Sequence, residues 1–288
     1  MAGALRWDVE GRDWPLREAS RFVATPGLRW HVQAMGKGPA ILLVHGTGAS
    51  AHSWRGVIPR LARRFTVIAP DLPGHGFTRG RPRRGLTLPG MAEAIGDLLK
   101  ELAVEPALVA GHSAGAAIAL ELAADGRLAE PIVGLNPAVT PFAGLAARMF
   151  PTMAKLLFLN PVAPALFAAR ARAPGETERF LARATGSTID RAGLRCYETL
   201  FGNAGHCAGT LEMMANWDLG ALDRRLPGIA NPALFVHAAG DTAIGRDSVA
   251  AAVSRLPSAS LVDWPGLGHL AHEEDPEAAA RMIAEALG

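Results

Sequence analysis

The chain has 288 residues, of which 49% are hydrophobic and 19% charged, and its formal net charge is +2. That much apolar material excludes wholesale disorder, and the near-balanced charge argues against a nucleic-acid binder. Two cysteines, Cys196 and Cys207, are too few for a disulfide framework or a zinc site and fit a reducing compartment.

The opening segment, MAGALRWDVEGRDW, holds no apolar core of a signal peptide. Residues 28–35 (LRWHVQAM) alternate as a half-exposed strand does. Residues 40–45 (AILLVH) are continuously apolar, the pattern of a strand buried on both faces. The runs at 65–70, 107–110, 131–135, 233–237 and 260–264 repeat it. Helical patterns lie between them. Met91, Ile95, Leu98, Leu99 and Leu102 share one face behind Pro89, and 114–124 is rich in Ala and Leu without breakers. Residues 247–256 start at Asp247 as an N-cap, and Asp275-Pro276 opens a last helix running to about Leu287.

Buried strands alternating with helices predict an α/β fold with a mainly parallel sheet covered on both faces. Residues 138–220 break the alternation with helical pieces and no strand. They read as an inserted helical lid at a strand's C-terminal end, where open α/β sheets keep their ligand sites. The expected division is a core of 1–137 and 221–288 and a lid of 138–220. The longest near-apolar stretch, 156–169, is too short to span a membrane and carries two prolines, so the expectation is a cytoplasmic protein.

The sharpest chemical signal is Gly111-His112-Ser113-Ala114-Gly115, between an apolar strand and a helix. That is the setting of a G-x-S-x-G nucleophile elbow, in which a strained strand-to-helix turn lifts the serine hydroxyl above the sheet. The plainer alternative is a glycine-rich turn with an incidental serine. A serine hydroxyl needs a base. His269, in Gly266-Leu267-Gly268-His269 past the last strand run, is the candidate, whereas His272 precedes Glu273-Glu274 and should face the surface. Asp241, after the strand at 233–237, is the candidate orienting acid; the loop after 131–135 offers only Asn136, which carries no charge. Two backbone N–H groups should form an oxyanion hole: Ala114, directly after the serine, and Thr47, in His45-Gly46-Thr47-Gly48. Asp71 and His75, in the turn 71–76, are expected to be structural. No cofactor and no metal are implied.

Together these stations resemble the α/β-hydrolase superfamily over the whole chain, with the order Ser113, Asp241, His269 matching the family's. The resemblance implies a mainly parallel eight-stranded sheet with helices on both faces and an inserted helical lid. The segments Glu10-Gly11-Arg12-Asp13-Trp14-Pro15, His45-Gly46-Thr47-Gly48-Ala49-Ser50, Thr185-Gly186-Ser187, Met213-Met214-Ala215-Asn216-Trp217-Asp218-Leu219 and Gly266–Glu274 are similar to the magnesium-chelatase accessory proteins of bacteriochlorophyll biosynthesis. That likeness implies a photosynthetic bacterium, a role near magnesium insertion into protoporphyrin, and association with magnesium chelatase.

The insert is apolar: 138–169 holds only Arg148 and Lys155 as charges. Some of its side chains should roof a pocket for a small hydrophobic substrate, a tetrapyrrole or other lipophilic ester, or touch a membrane surface peripherally. The candidate substrate contacts are Phe142, Met149, Met213 and Trp217, with His45, Gly46 and His112 beside the serine. Arg79, Arg81, Arg83 and Arg84 form a basic run that could bind carboxylates, an anionic membrane or only solvent. Two functional readings stand: a serine hydrolase acting on an apolar ester, or a non-catalytic porphyrin- or chelatase-binding accessory protein with a vestigial triad.

Overall fold

The computed structural model describes residues 3–141 and 160–287. Within them lie the strands β1 (Ser20–Thr25), β2 (Leu28–Met35), β3 (Ala40–Val44), β4 (Thr66–Pro70), β5 (Arg79–Gly80), β6 (Pro106–His112), β7 (Ile132–Leu135), β8 (Ala233–Ala238) and β9 (Ala259–Trp264). They form one nine-stranded sheet in the order β1-β2-β4-β3-β6-β7-β8-β9, with β5 beside β2. The continuous path has the eight strands expected, and the two-residue β5 is the addition. All pairings from β4 through β9 are parallel, whereas β2 is antiparallel to β1, β4 and β5.

The helices are α1 (Ile58–Leu61), α2 (Leu88–Glu101), α3 (Ala114–Ala124), α4 (Ala163–Ala171), α5 (Glu176–Thr185), α6 (Arg191–Phe201), α7 (Ala204–Ala215), α8 (Gly220–Arg225), α9 (Arg246–Val253), α10 (Ala271–Glu274) and α11 (Pro276–Glu285). On one face of the sheet, α2 and α3 pack over Leu42, Val44, Val109 and Ile132. On the other, α1 and α11 pack over Ile41, Leu43, Val67 and Leu108. The reason lies in the sequence. The continuous apolar runs of β3, β4 and β6 leave no polar face to expose, so both faces must be covered. In α3, small Ala116, Ala117 and Ala119 are fully buried and let the helix lie close to the sheet. Thr87 caps α2 by accepting the N–H of Gly90 at 3.1 Å.

Two strands depart from the sequence reading. β2 is far more buried than an alternating strand should be: His31, Val32 and Gln33 are all fully buried. The N-terminal segment covers its second face. Trp7 lies on His31 with ring centroids 4.8 Å apart, and Gln33 Nε2 donates to the Pro15 carbonyl at 2.6 Å. Conversely β9, expected to be covered on both faces, is the sheet edge. Val262 is 43% exposed, and Asp263 is exposed in a fork pair with Arg246 at 2.7 and 2.8 Å. Asp247 does not cap α9; Gly245 occupies that position and Asp247 sits in the first turn. The final helix opens as expected, with Asp275 accepting the Ala278 N–H at 2.9 Å. Between β7 and β8, the described residues contain five α-helices, α4 to α8, a short 3-10 turn at Leu226–Gly228, and no strand.

Candidate functional site

Ser113 stands between β6 and α3 at φ 52°, ψ −118°, a conformation a residue with a Cβ avoids at a cost of about 1–3 kcal/mol. The turn is tight enough to require glycine on both sides. A Cβ on Gly111 would meet the backbone of Gly115 and Ala116, and one on Gly115 would meet the Val44 carbonyl. The strain is held by the end of β7 and the loop that follows it. Ser113 N–H donates to the Leu135 carbonyl, and the Ser113 carbonyl accepts from Ala138 N–H, both at 3.1 Å. The side chain remains partly exposed while its neighbours His112 and Ala114 are buried.

His269 and Asp241 meet: Nδ1 of the ring lies 2.7 Å from Asp241 Oδ2. The Asp241 carboxylate is fully enclosed, and its Oδ1 accepts the N–H groups of Ala243 and Ile244 at 2.7 and 2.9 Å. Those bonds fix the carboxylate from behind and leave Oδ2 for the ring. Among the described residues, no hydrogen bond within 3.5 Å joins Ser113 Oγ to the ring. Such contacts are often long without substrate.

The loop carrying His269 is clamped by side chains and backbone groups from several elements. The His269 carbonyl accepts from Asn136 Nδ2 at 2.8 Å and lies 2.9 Å from His112 Nε2. Asn136, dismissed as an acid, is 2% exposed and adopts φ 45°. It also donates to the Gly268 carbonyl and accepts the Ala238 N–H at 2.7 Å, so it ties the ends of β7 and β8 to this loop. Glu274 accepts from Gly268 N–H, Ser187 Oγ and Thr188 N–H at 2.7–3.0 Å. His269 N–H donates to the Thr185 carbonyl at 2.7 Å. The Thr185-Gly186-Ser187 segment thus lies against both the Asp241 and the His269 loops, and Gly186, at φ +67°, abuts the Gly240 carbonyl. His272 does not face the surface. It is fully buried between Trp54 and His112, with ring centroids 4.5 and 4.4 Å away, and burial lowers its pKa to about 3.

Thr47 is exposed on the loop after β3, and neither its N–H nor that of Ala114 has a hydrogen-bond partner among the described residues. Gly46 packs on Ser113 and on the His112 ring. His45 is fully buried with both ring nitrogens hydrogen-bonded to backbone groups, so it faces the loop rather than a substrate. Burial likewise encloses His112 and pushes its pKa well down. Met213 is fully buried, its sulfur 3.9 Å from Thr47 Oγ1, and Trp217 is half-buried. Phe142 and Met149 lie outside the described residues. Asp71 is structural as expected: it accepts the N–H groups of Ala51 and Phe77 and contacts His31 Nδ1 at 2.9 Å. Although burial opposes it, the His31 ring and these bonds hold the Asp71 carboxyl below its ordinary range. In the basic run, Arg81 pairs with Glu212 of α7, while Arg83 and Arg84 are exposed.

A model of the alpha/beta hydrolase family matches residues 41–282, and the chain belongs to that family. Over 279 residues it is 42% identical to the magnesium-chelatase 30 kDa subunit of Rhodobacter capsulatus, covering 95% of this chain and 96% of that one. It is 29% identical to a pimeloyl-[acyl-carrier protein] methyl ester esterase of Aromatoleum aromaticum, over 86% of this chain and 97% of the other. Among solved structures, an alpha/beta hydrolase fold protein from Burkholderia ambifaria superposes with a TM-score of 0.77 at 24% identity, covering 93% of this chain and 97% of that one. No helix among the described residues is long and apolar enough to cross a membrane.

Proposed function

We propose that the chain is a serine hydrolase that cleaves an apolar ester-like substrate in support of magnesium insertion during bacteriochlorophyll biosynthesis. The observation that carries this reading is the strained, partly exposed Ser113, on an elbow whose backbone is tied to the same strand ends that hold the Asp241–His269 pair.

In the reaction, His269 Nε2 takes the Ser113 hydroxyl proton as Oγ attacks the carbonyl carbon. Asp241 keeps the other ring nitrogen protonated and stabilises the imidazolium that forms. The N–H groups of Thr47 and Ala114 bind the oxyanion. Collapse breaks the ester C–O bond, and the leaving alkoxide takes the proton from His269. Water, deprotonated by the same ring, then releases the acid and restores Ser113. The N–H pair is supported by its freedom from other partners among the described residues, and the ester class by the likeness to a methyl ester esterase. The pathway is supported by the likeness to a magnesium-chelatase subunit. We take 138–220 as the lid over a core of 1–137 and 221–288. Its apolar content, with Met213 beside Thr47, favours a tetrapyrrole ester.

A fluorophosphonate probe tests the reading. It should label the wild type and leave Ser113→Ala unlabelled, and a strain carrying Ser113→Ala should accumulate an unhydrolysed tetrapyrrole ester. Folded wild type that takes no label, with normal pigment in the Ser113→Ala strain, would overturn it in favour of a non-catalytic accessory protein.

A further inference from the structure

The Thr47 N–H belongs to the peptide unit whose carbonyl is that of Gly46. Because the unit is planar and trans, whatever holds the Gly46 carbonyl also aims the Thr47 N–H in the opposite direction. Two groups hold that carbonyl: His45 Nδ1, 2.7 Å away, and the N–H of Ala49, at 3.2 Å. The Ala49 N–H in turn shares its peptide unit with the Gly48 carbonyl. That carbonyl lies 3.1 Å from Nε2 of His206, in the first turn of α7.

His206 is 3% exposed, and its Nδ1 accepts the N–H of Gly76 at 3.1 Å. An amide N–H only donates and a carbonyl only accepts. The two contacts therefore admit one form of the ring, neutral with its proton on Nε2. His45 is fixed in the opposite tautomer: its Nε2 accepts the Leu72 N–H at 2.9 Å while its Nδ1 donates to Gly46. Two neutral rings thus cross-brace the loop 45–49 against the turn 71–76, one from the core and one from the insertion. His75 stacks edge-on between them, its centroid 5.4 Å from each, and Asp71 is the nearby carboxylate that bears on both. Burial lowers His206 to about 4 and His45 below its ordinary value, so both rings stay neutral at ordinary working pH.

We propose that His206 is a positioning residue: through the Gly48–Ala49 and Gly46–Thr47 peptide planes it aims the Thr47 N–H, so the oxyanion hole is complete only while α7 is docked on the core. The proposal rests on the serine-hydrolase reading above.

The test compares His206→Phe, which fills the space without hydrogen bonds, with His206→Gln, which keeps one acceptor and one donor. Deleting an oxyanion donor costs roughly 100- to 1000-fold in kcat, so a misaimed one should cost about 10- to 100-fold in His206→Phe, with KM within about threefold. Affinity for a trifluoromethyl ketone, whose hemiketal oxygen occupies the same hole, should fall by the same factor as kcat/KM. The Gly76 amide should exchange faster in His206→Phe, and His206→Gln should recover most of each loss. If His206→Phe does not fold, His206→Asn, which is too short to span both partners, carries the same expectations. An active wild type with kcat and ketone affinity unchanged in the folded variant overturns the positioning role. A wild type that neither turns over esters nor takes the fluorophosphonate overturns the hydrolase reading instead.

Discussion

Two of the zones in which described residues between β7 and β8 meet the core are built differently. In the first, α7 lies backbone to backbone on the turn 71–76, with Gly209 directly against Gly74, and adds the His206 ring and the Arg81–Glu212 pair. In the second, Thr185, Ser187 and Thr188 bind the His269 loop through backbone groups, a hydroxyl and the Glu274 carboxylate. The first zone depends on an imidazole that loses an acceptor on protonation, and the second involves no imidazole ring nitrogen from the insertion. Acid should therefore loosen the contact of α7 with the turn 71–76 before it disturbs the contact with the His269 loop.

The second zone should be most sensitive at Gly186. A Gly186→Val side chain would adopt an unfavourable φ of +67° and collide with the Gly240 carbonyl, costing about 4 kcal/mol and displacing Asp241 from His269. Tm should fall, and with it the kcat of the proposed hydrolysis; retained activity would show that the second zone is not needed for the pair. Asn136→Ala comes next. It leaves the Ala238 N–H and the Gly268 carbonyl without their partner, costing about 3 kcal/mol by denaturant melting.

Acid titration sharpens the contrast. The folded state refuses protons at His206 and His272 that the unfolded chain accepts below about pH 6.5. Their contribution is therefore complete above that pH and falls as pH drops through it, by about 2 kcal/mol for each ring at pH 5. Tm measured from pH 8 to 5 should show the decline, with a shallower slope in His206→Gln. The smallest effect is expected from Arg81→Ala. That side chain is 63% exposed, so its loss should cost less than about 1 kcal/mol despite the ion pair, and a larger drop in Tm would make it a true latch.

Much of the core was legible because continuous apolar runs at β3, β4, β6 and β7 admit one arrangement, buried strands under helices. The misread strands share a cause. How far β2 or β9 is covered depends on whether Trp7 and Trp14 fold back or no strand follows, and local periodicity cannot carry that. His272 was misplaced for the same reason, since its polar neighbours gave no hint of Trp54 and His112. In the site, Ser113, Asp241 and His269 stand out because each follows a strand in a glycine-rich turn. Asn136, His206 and Glu274 do not. They act on backbone carbonyls and amides of distant loops, and such partners leave no mark in residue spacing. Phe142 and Met149, candidate contacts because they sit in the apolar insert, lie outside the described residues.

The register of β7 beside β8 has a consequence for how the chain comes together. Ile132 to Leu135 pair with Ala233 to Val236, so neighbours in the sheet are about a hundred positions apart in synthesis. Closing so long an excursion costs only about 0.6 kcal/mol more for each doubling of length, but such non-local parallel pairing is slow to form. Ser113 and Thr47 follow strands that emerge and can pair early, while Asp241 and His269 belong to the last quarter. On the serine-hydrolase reading, a growing or truncated chain would carry its hydroxyl on a finished elbow with nothing to deprotonate it, so that capacity would arrive in one late step rather than by degrees.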